Sequence, residues 1–151
     1  MQKRFLVLVL VMGLAPSVLA SYLLLPTEQK LLSRDEYREK IEIDGLFSGR
    51  GTAGEEQGVP LVWFKLRNTG NQTVDEVRVH VNFLNEEGDI VHEEDFYPVH
   101  RGVYGVRVPP VGPGEVWQMS NIRYFMPSGV PHTWKVGSVT ARVESVRFDG
   151  E

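Results

Sequence analysis

Residues 73–85, TVDEVRVHVNFLN, alternate apolar and polar side chains: Val77, Val79, Val81 and Phe83 fall on one parity, and Arg78, His80 and Asn82 on the other. Successive side chains of a β-strand point to opposite faces, so the stretch reads as a strand with one face in a core and one in water. A polar turn, Glu86-Glu87-Gly88-Asp89, follows, and residues 89–99, DIVHEEDFYPV, resume the strand pattern. Two such runs joined by a glycine-containing turn make a hairpin.

The same rhythm extends outward in both directions. Residues 59–68, VPLVWFKLRN, place Val62, Phe64 and Leu66 on one face and Leu61, Trp63, Lys65 and Arg67 on the other. Residues 40–49, KIEIDGLFSG, form a further candidate strand. Downstream come a weaker candidate at 103–108, the turn PPVGPGE, a long candidate at 115–126 and a last one at 137–148. In the last, Val139, Ala141 and Val143 share one parity while Val146 and Phe148 share the other, so a bulge near Glu144 and Ser145 is expected. Trp117 and Tyr124 are the aromatic residues expected to bridge two sheets. About seven short strands without helical periodicity between them predict an all-β fold, an antiparallel two-sheet sandwich over residues 41–149.

The N-terminus reads differently. Residues 1–20 have the parts of a secretory signal peptide: Lys3 and Arg4, an apolar core FLVLVLVMGL, and the helix-breaking Ala15-Pro16-Ser17 before Val18-Leu19-Ala20. A second reading counts 21 uncharged residues at 5–25, about 31 Å as a helix and long enough to anchor the chain in a membrane. Cleavage after Ala20 and retention as an anchor both place the β region on the outer side of the membrane. Residues 26–40, PTEQKLLSRDEYREK, read as a charged helical linker, with Ser33 to Glu36 in the form of a capping box.

The stretch LRNTGNQTVDEVRVHVNFLNEEGDIV resembles the FxLYD-type domains of bacterial exported proteins. Asn68-Thr69-Gly70 matches the family's strand end, Val77 to Val81 its alternating strand, Gly88 and Val91 its hairpin, and Gly112-Pro113-Gly114-Glu115 its late turn. Val81, Phe83, Leu84 and Asn85 stand where the family has Phe, Leu, Tyr and Asp. The resemblance covers about residues 58–116 and implies an immunoglobulin- or fibronectin-III-like sandwich; it implies no catalytic residue. Gly70 and Gly88 are expected to supply positive φ at strand reversals, and Asn68 and Asn85 to bond the turn backbone.

The chain has no cysteine, which removes thiol nucleophiles, disulfides and cysteine-based metal sites. With 20 acidic against 16 basic residues, a nucleic-acid surface is disfavoured. His80, His92, His100 and His132 form no H-x-x-x-H or H-E-x-x-H pair, although His92 and Glu94 share a strand parity. No serine lies in a nucleophile-elbow context and no phosphate loop opens a helix. The connection at 100–115 concentrates Arg101, Tyr104 and Arg107 among glycines and prolines, a pairing favoured at protein interfaces. Met119, Met126 and His132 form the alternative, a soft-ligand set suited to Cu(I). The expectation is a non-enzymatic exported module of the bacterial envelope, periplasmic or extracellular and without a cofactor, that binds an envelope protein or a ligand, as an accessory subunit or a binding domain, and meets the membrane only through its N-terminal segment if that is uncleaved; the alternative is a periplasmic copper-binding protein.

Overall fold

The computed structural model describes residues 31–102, 108–120 and 123–150. Their strands are β1 (Ile41–Ala53), β2 (Glu56–Asn68), β3 (Val74–Leu84), β4 (Ile90–Val99), β5 (Val116–Gln118) and β6 (Val139–Phe148), preceded by a short helix α1 (Arg34–Tyr37). All strand pairings are antiparallel. They build two three-stranded sheets, in the orders β1-β2-β5 and β4-β3-β6. The fold is therefore mostly antiparallel β. The signal-peptide and anchor readings, and residues 26–30 of the linker, lie outside the described residues. No helix among the described residues is long and apolar enough to cross a membrane.

The period-two pattern sets the core. Val62, Phe64 and Leu66 of β2 join Val77, Val79, Val81 and Phe83 of β3, Phe96 and Val99 of β4, and Val146 of β6 in a single buried cluster. Each such side chain contributes about 1.5–3 kcal/mol when fully enclosed. The bulge in β6 is present: Arg78 pairs with Ser145 and Val79 with Val143, leaving Glu144 unpaired. That extra residue lets Val139, Ala141 and Val143, and then Val146 and Phe148, all pack on the core.

The long candidate at 115–126 is not one strand. β5 pairs with β2 only from Lys65↔Gln118 to Arg67↔Val116, and contact resumes at an isolated Val62↔Phe125 bridge. Two residues separate these pairings on β2 and six on the other side, so one continuous ladder cannot join them. Phe125, rather than Tyr124, then enters the core. Its ring stacks 5.3 Å from Phe64 and lies 4.7 Å from Phe96 and 6.4 Å from Trp117, while Tyr124 is 37% exposed. Residues 103–107 of the weaker candidate strand lie outside the described residues.

Residues 31–40 are packed onto the β-sheets. Ser33 caps α1 by accepting from Glu36 N, and the Glu36 carboxylate accepts from Ser33 N, the reciprocal pair of a capping box. The helix delivers Tyr37 into the core with no exposed surface, edge-on to Phe148 at 5.1 Å. Its hydroxyl lies 2.9 Å from Asn68 Oδ1 and 2.7 Å from Gln72 O, the two acceptors for its single proton, and accepts from Gln72 N (2.7 Å). Asn68 completes the corner, accepting from Gly70 N and donating to Gln72 O and Val111 O. Gly88 has the expected positive φ of 88°, and Asn85 Oδ1 accepts from Glu87 N and Asp89 N. Gly70 needs to be glycine for a different reason: its φ is not positive, and a Cβ there would collide with the Tyr37 ring.

Candidate functional site

Over residues 47–51 and 59–63 the outer face of the β1-β2 pair is apolar, whereas further along the same face Lys65 and Arg67 stand opposite Asp44 and Glu42. Phe47 is paired with Trp63, Gly49 with Leu61 and Gly51 with Val59, all on the side away from Val62 and Phe64. The two glycines leave β1 bare, and the neighbours lean into the space. A Cβ on Gly49 would sit 3.1 Å from the Phe47 ring, and one on Gly51 would overlap the end of Leu61. Neither glycine has positive φ, so close approach rather than backbone conformation accounts for them.

The segment around Phe125 supplies the opposite wall. A cavity of about 880 Å³ is lined by Phe47, Arg50, Leu61, Met119, Arg123 and Tyr124, with Met126 beside them. A smaller hollow of about 380 Å³ continues past Phe47 and Tyr124 to Gly45 and Trp63. A third, of about 620 Å³, shares Arg50, Ala53 and Met126 and reaches Glu56 and His132 near the hairpin tip. Phe47 is 53% exposed and Met126 58%. Large apolar side chains left open together, and rimmed by charge, mark a binding surface more often than isolated exposed residues do. The Arg50 guanidinium is fixed by donating to Gly58 O (2.8 Å) and by lying 5.3 Å from the centre of the Trp134 ring. Arg123 has no ion pair or side-chain hydrogen bond among the described residues.

The candidates from sequence fall in different places. Arg101 pairs through Nε with the buried carboxylate of Asp75 and donates through Nη2 to Phe148 O (2.9 Å), which ties its loop to the start of β3 and the end of β6. Tyr104 and Arg107 lie outside the described residues. Met119 and Met126 line the main cavity together, whereas Met126 and His132 line the hollow at the hairpin tip. Among the described residues no group of three or more His, Asp and Glu side chains could hold a metal ion.

A polar cluster covers the outer face of the other sheet. His80 Nδ1 lies 2.7 Å from Asp95 Oδ1 and Nε2 lies 3.3 Å from Glu93 Oε1, and Arg78 Nη1 is 3.3 Å from Asp95 Oδ2. The hydrogen bond to Asp95 holds the imidazole above its usual pKa, against an opposing desolvation, with Glu93 adding to the rise and Arg142 reducing it. Both ring nitrogens face carboxylates, so this histidine has no nitrogen left to serve as a base toward a third group. On the opposite parity His92 and Glu94 do share a face, 3.3 Å apart, and Glu94 Oε2 accepts from Ser128 N. That pair latches the 126–130 loop to β4.

No family model matches the chain, and neither a curated protein nor a solved structure matches it. The sequence does not show the β1-β2 groove because its wall comes from Met119, Arg123, Tyr124 and Met126, whose docking depends on the distant Val62↔Phe125 bridge. One signal was present: Leu61 and Trp63 make β2 apolar on both faces, unlike β3.

Proposed function

We propose that the chain is a non-enzymatic binding module of the bacterial cell envelope, an immunoglobulin- or fibronectin-III-like sandwich of the FxLYD type, exported by its N-terminal segment. The observation that carries the binding reading is the open groove over β1 and β2, where Phe47, Trp63, Tyr124 and Met126 line adjoining hollows. Support for the sandwich comes from two three-stranded antiparallel sheets sharing one core, and support for export from the sequence pattern of residues 1–25. The occupied side chains of the His80 cluster favour binding over catalysis.

Photo-crosslinking in the native envelope tests the site. A crosslinking residue at Phe47 should give a discrete adduct that the same residue at Thr140, on the exposed face of β6, does not. Equal labelling from both positions would contradict the groove. Intact mass tests export: the mature chain should either begin at Ser21 or remain whole in the membrane fraction. A whole chain found only in the cytosol contradicts it.

A second reading, Cu(I) binding, is favoured by one observation: Met119 and Met126 share the main cavity, and His132 lines the next hollow with Met126. Anaerobic Cu(I) titration separates the two readings, because a copper protein binds more tightly than micromolar and loses that affinity on Met126→Leu.

A further inference from the structure

We infer that the groove takes an extended peptide segment in which apolar side chains alternate with acidic ones; the inference rests on the binding reading above and names its partner. Three features of the groove lead there. The first is its form. The hollows adjoin one another, with Phe47 and Tyr124 standing between the first and second and Arg50, Ala53 and Met126 between the first and third. Together they exceed the usual ~300–1,000 Å³ of a site for one small molecule. A run of recesses separated by side-chain walls suits side chains presented at intervals, as an extended strand presents them every second residue. An unbranched acyl chain would be served better by one uninterrupted channel.

The second feature is the apolar lining. Phe47, Leu61 and Tyr124 offer fixed surface, and Met119 and Met126 offer adaptable surface, the combination that accommodates varied apolar side chains.

The third feature is charge. The chain as a whole is acidic, with a formal net charge of −4. Yet the charged residues lining the main cavity are both arginines, Arg50 and Arg123, and no carboxylate lines it or the second hollow among the described residues, Glu56 lining only the third, at the hairpin tip. Local sign therefore opposes global sign, which selects an anionic occupant and repels a cationic one. Arg50 is already held by Gly58 O and the Trp134 ring, so its remaining donors are oriented before a ligand arrives. Guanidinium groups match carboxylates in geometry as well as in charge.

The test uses the full chain and three fluorescein-labelled nine-residue peptides in which leucine and phenylalanine alternate with glutamate, lysine or serine. Fluorescence anisotropy should show the glutamate peptide binding at least about tenfold more tightly than the lysine peptide, with the advantage shrinking as salt rises. Arg123→Glu, an exposed change, should reverse the order of the two, and circular dichroism melts should show the variant folded. Phe47→Ala should weaken all three peptides. Binding of the serine and glutamate peptides with equal affinity, lost in Phe47→Ala, overturns the acidic occupant but leaves the groove a binding site. Saturable laurate binding that Phe47→Ala abolishes, with no peptide bound, makes the occupant a lipid and overturns the inference. No binding by any probe overturns the inference and the groove reading together.

Discussion

Replacing Tyr37 by phenylalanine removes one oxygen from the corner that joins α1, the end of β2 and the turn after it. With it go the donor whose single proton serves Asn68 Oδ1 and Gln72 O, and the acceptor of Gln72 N. The first two acceptors keep other partners, since Gly70 N still donates to Asn68 Oδ1 and Asn68 Nδ2 still donates to Gln72 O. Only Gln72 N loses the partner it has. One orphaned, half-buried donor together with the lost bond corresponds to about 1–2 kcal/mol. Asn68→Ala is more severe, because it strips partners from Tyr37, Gly70, Gln72 and Val111 at a fully buried position; about 3–4 kcal/mol is expected. Urea unfolding followed by far-ultraviolet circular dichroism measures both. Tyr37→Phe should lower the midpoint by roughly 1 M with the slope unchanged, and a double-mutant cycle with Asn68→Ala should show strong coupling. A Tyr37→Phe variant within about 0.3 kcal/mol of the parent would refute the packing of α1 described above.

Two further perturbations separate structural roles from binding roles. Arg101→Ala should cost about 1–3 kcal/mol, because it leaves the buried Asp75 carboxylate without its cation, discounted for the partial exposure of the arginine; Asp75→Asn in the same chain should recover part of the loss in thermal unfolding. Partner loss in Arg101→Ala alone therefore does not identify a contact residue. His80 faces Asp95 and Glu93 from β4, Arg142 from β6 and Arg78 on its own strand, and its pKa is raised in the folded state. Its stabilisation is then fully present below the unfolded value of about 6.5 and is lost as pH rises through the higher folded value. The stability difference between the parent and His80→Gln should be largest below the unfolded value and shrink as pH rises through the folded one; a difference that stays constant as pH is raised contradicts the assignment.

The sequence exposed the parts of the fold that depend on local periodicity. The core faces of β2 and β3 follow from strict alternation at Val62, Phe64 and Leu66 and at Val77, Val79, Val81 and Phe83. The β6 bulge was legible because the parity change between Val143 and Val146 has one economical solution. What depended on distant partners was not legible. Tyr37 looked like part of a solvated linker, since a helix of one turn with one aromatic residue carries no amphipathic pattern; its burial follows from Asn68 and the bare backbone of Gly70. Arg101 looked like an interface residue because its loop is rich in glycine and proline, while the partner that holds it, Asp75, sits on another element. The groove needed three separated segments at once: glycines 49 and 51 in β1, the doubly apolar β2, and the segment that follows β5.

The most direct measurement of the central claim is a ¹⁵N–¹H correlation titration of the full chain with the glutamate-alternating peptide. The binding account predicts that the largest shifts fall on Phe47, Gly49, Gly51, Leu61, Trp63 and Tyr124, with the Trp63 indole N–H, which makes no hydrogen bond among the described residues, as a side-chain reporter. Shifts gathered instead on residues 100–115, with the β1 and β2 amides unmoved at saturation, would contradict it.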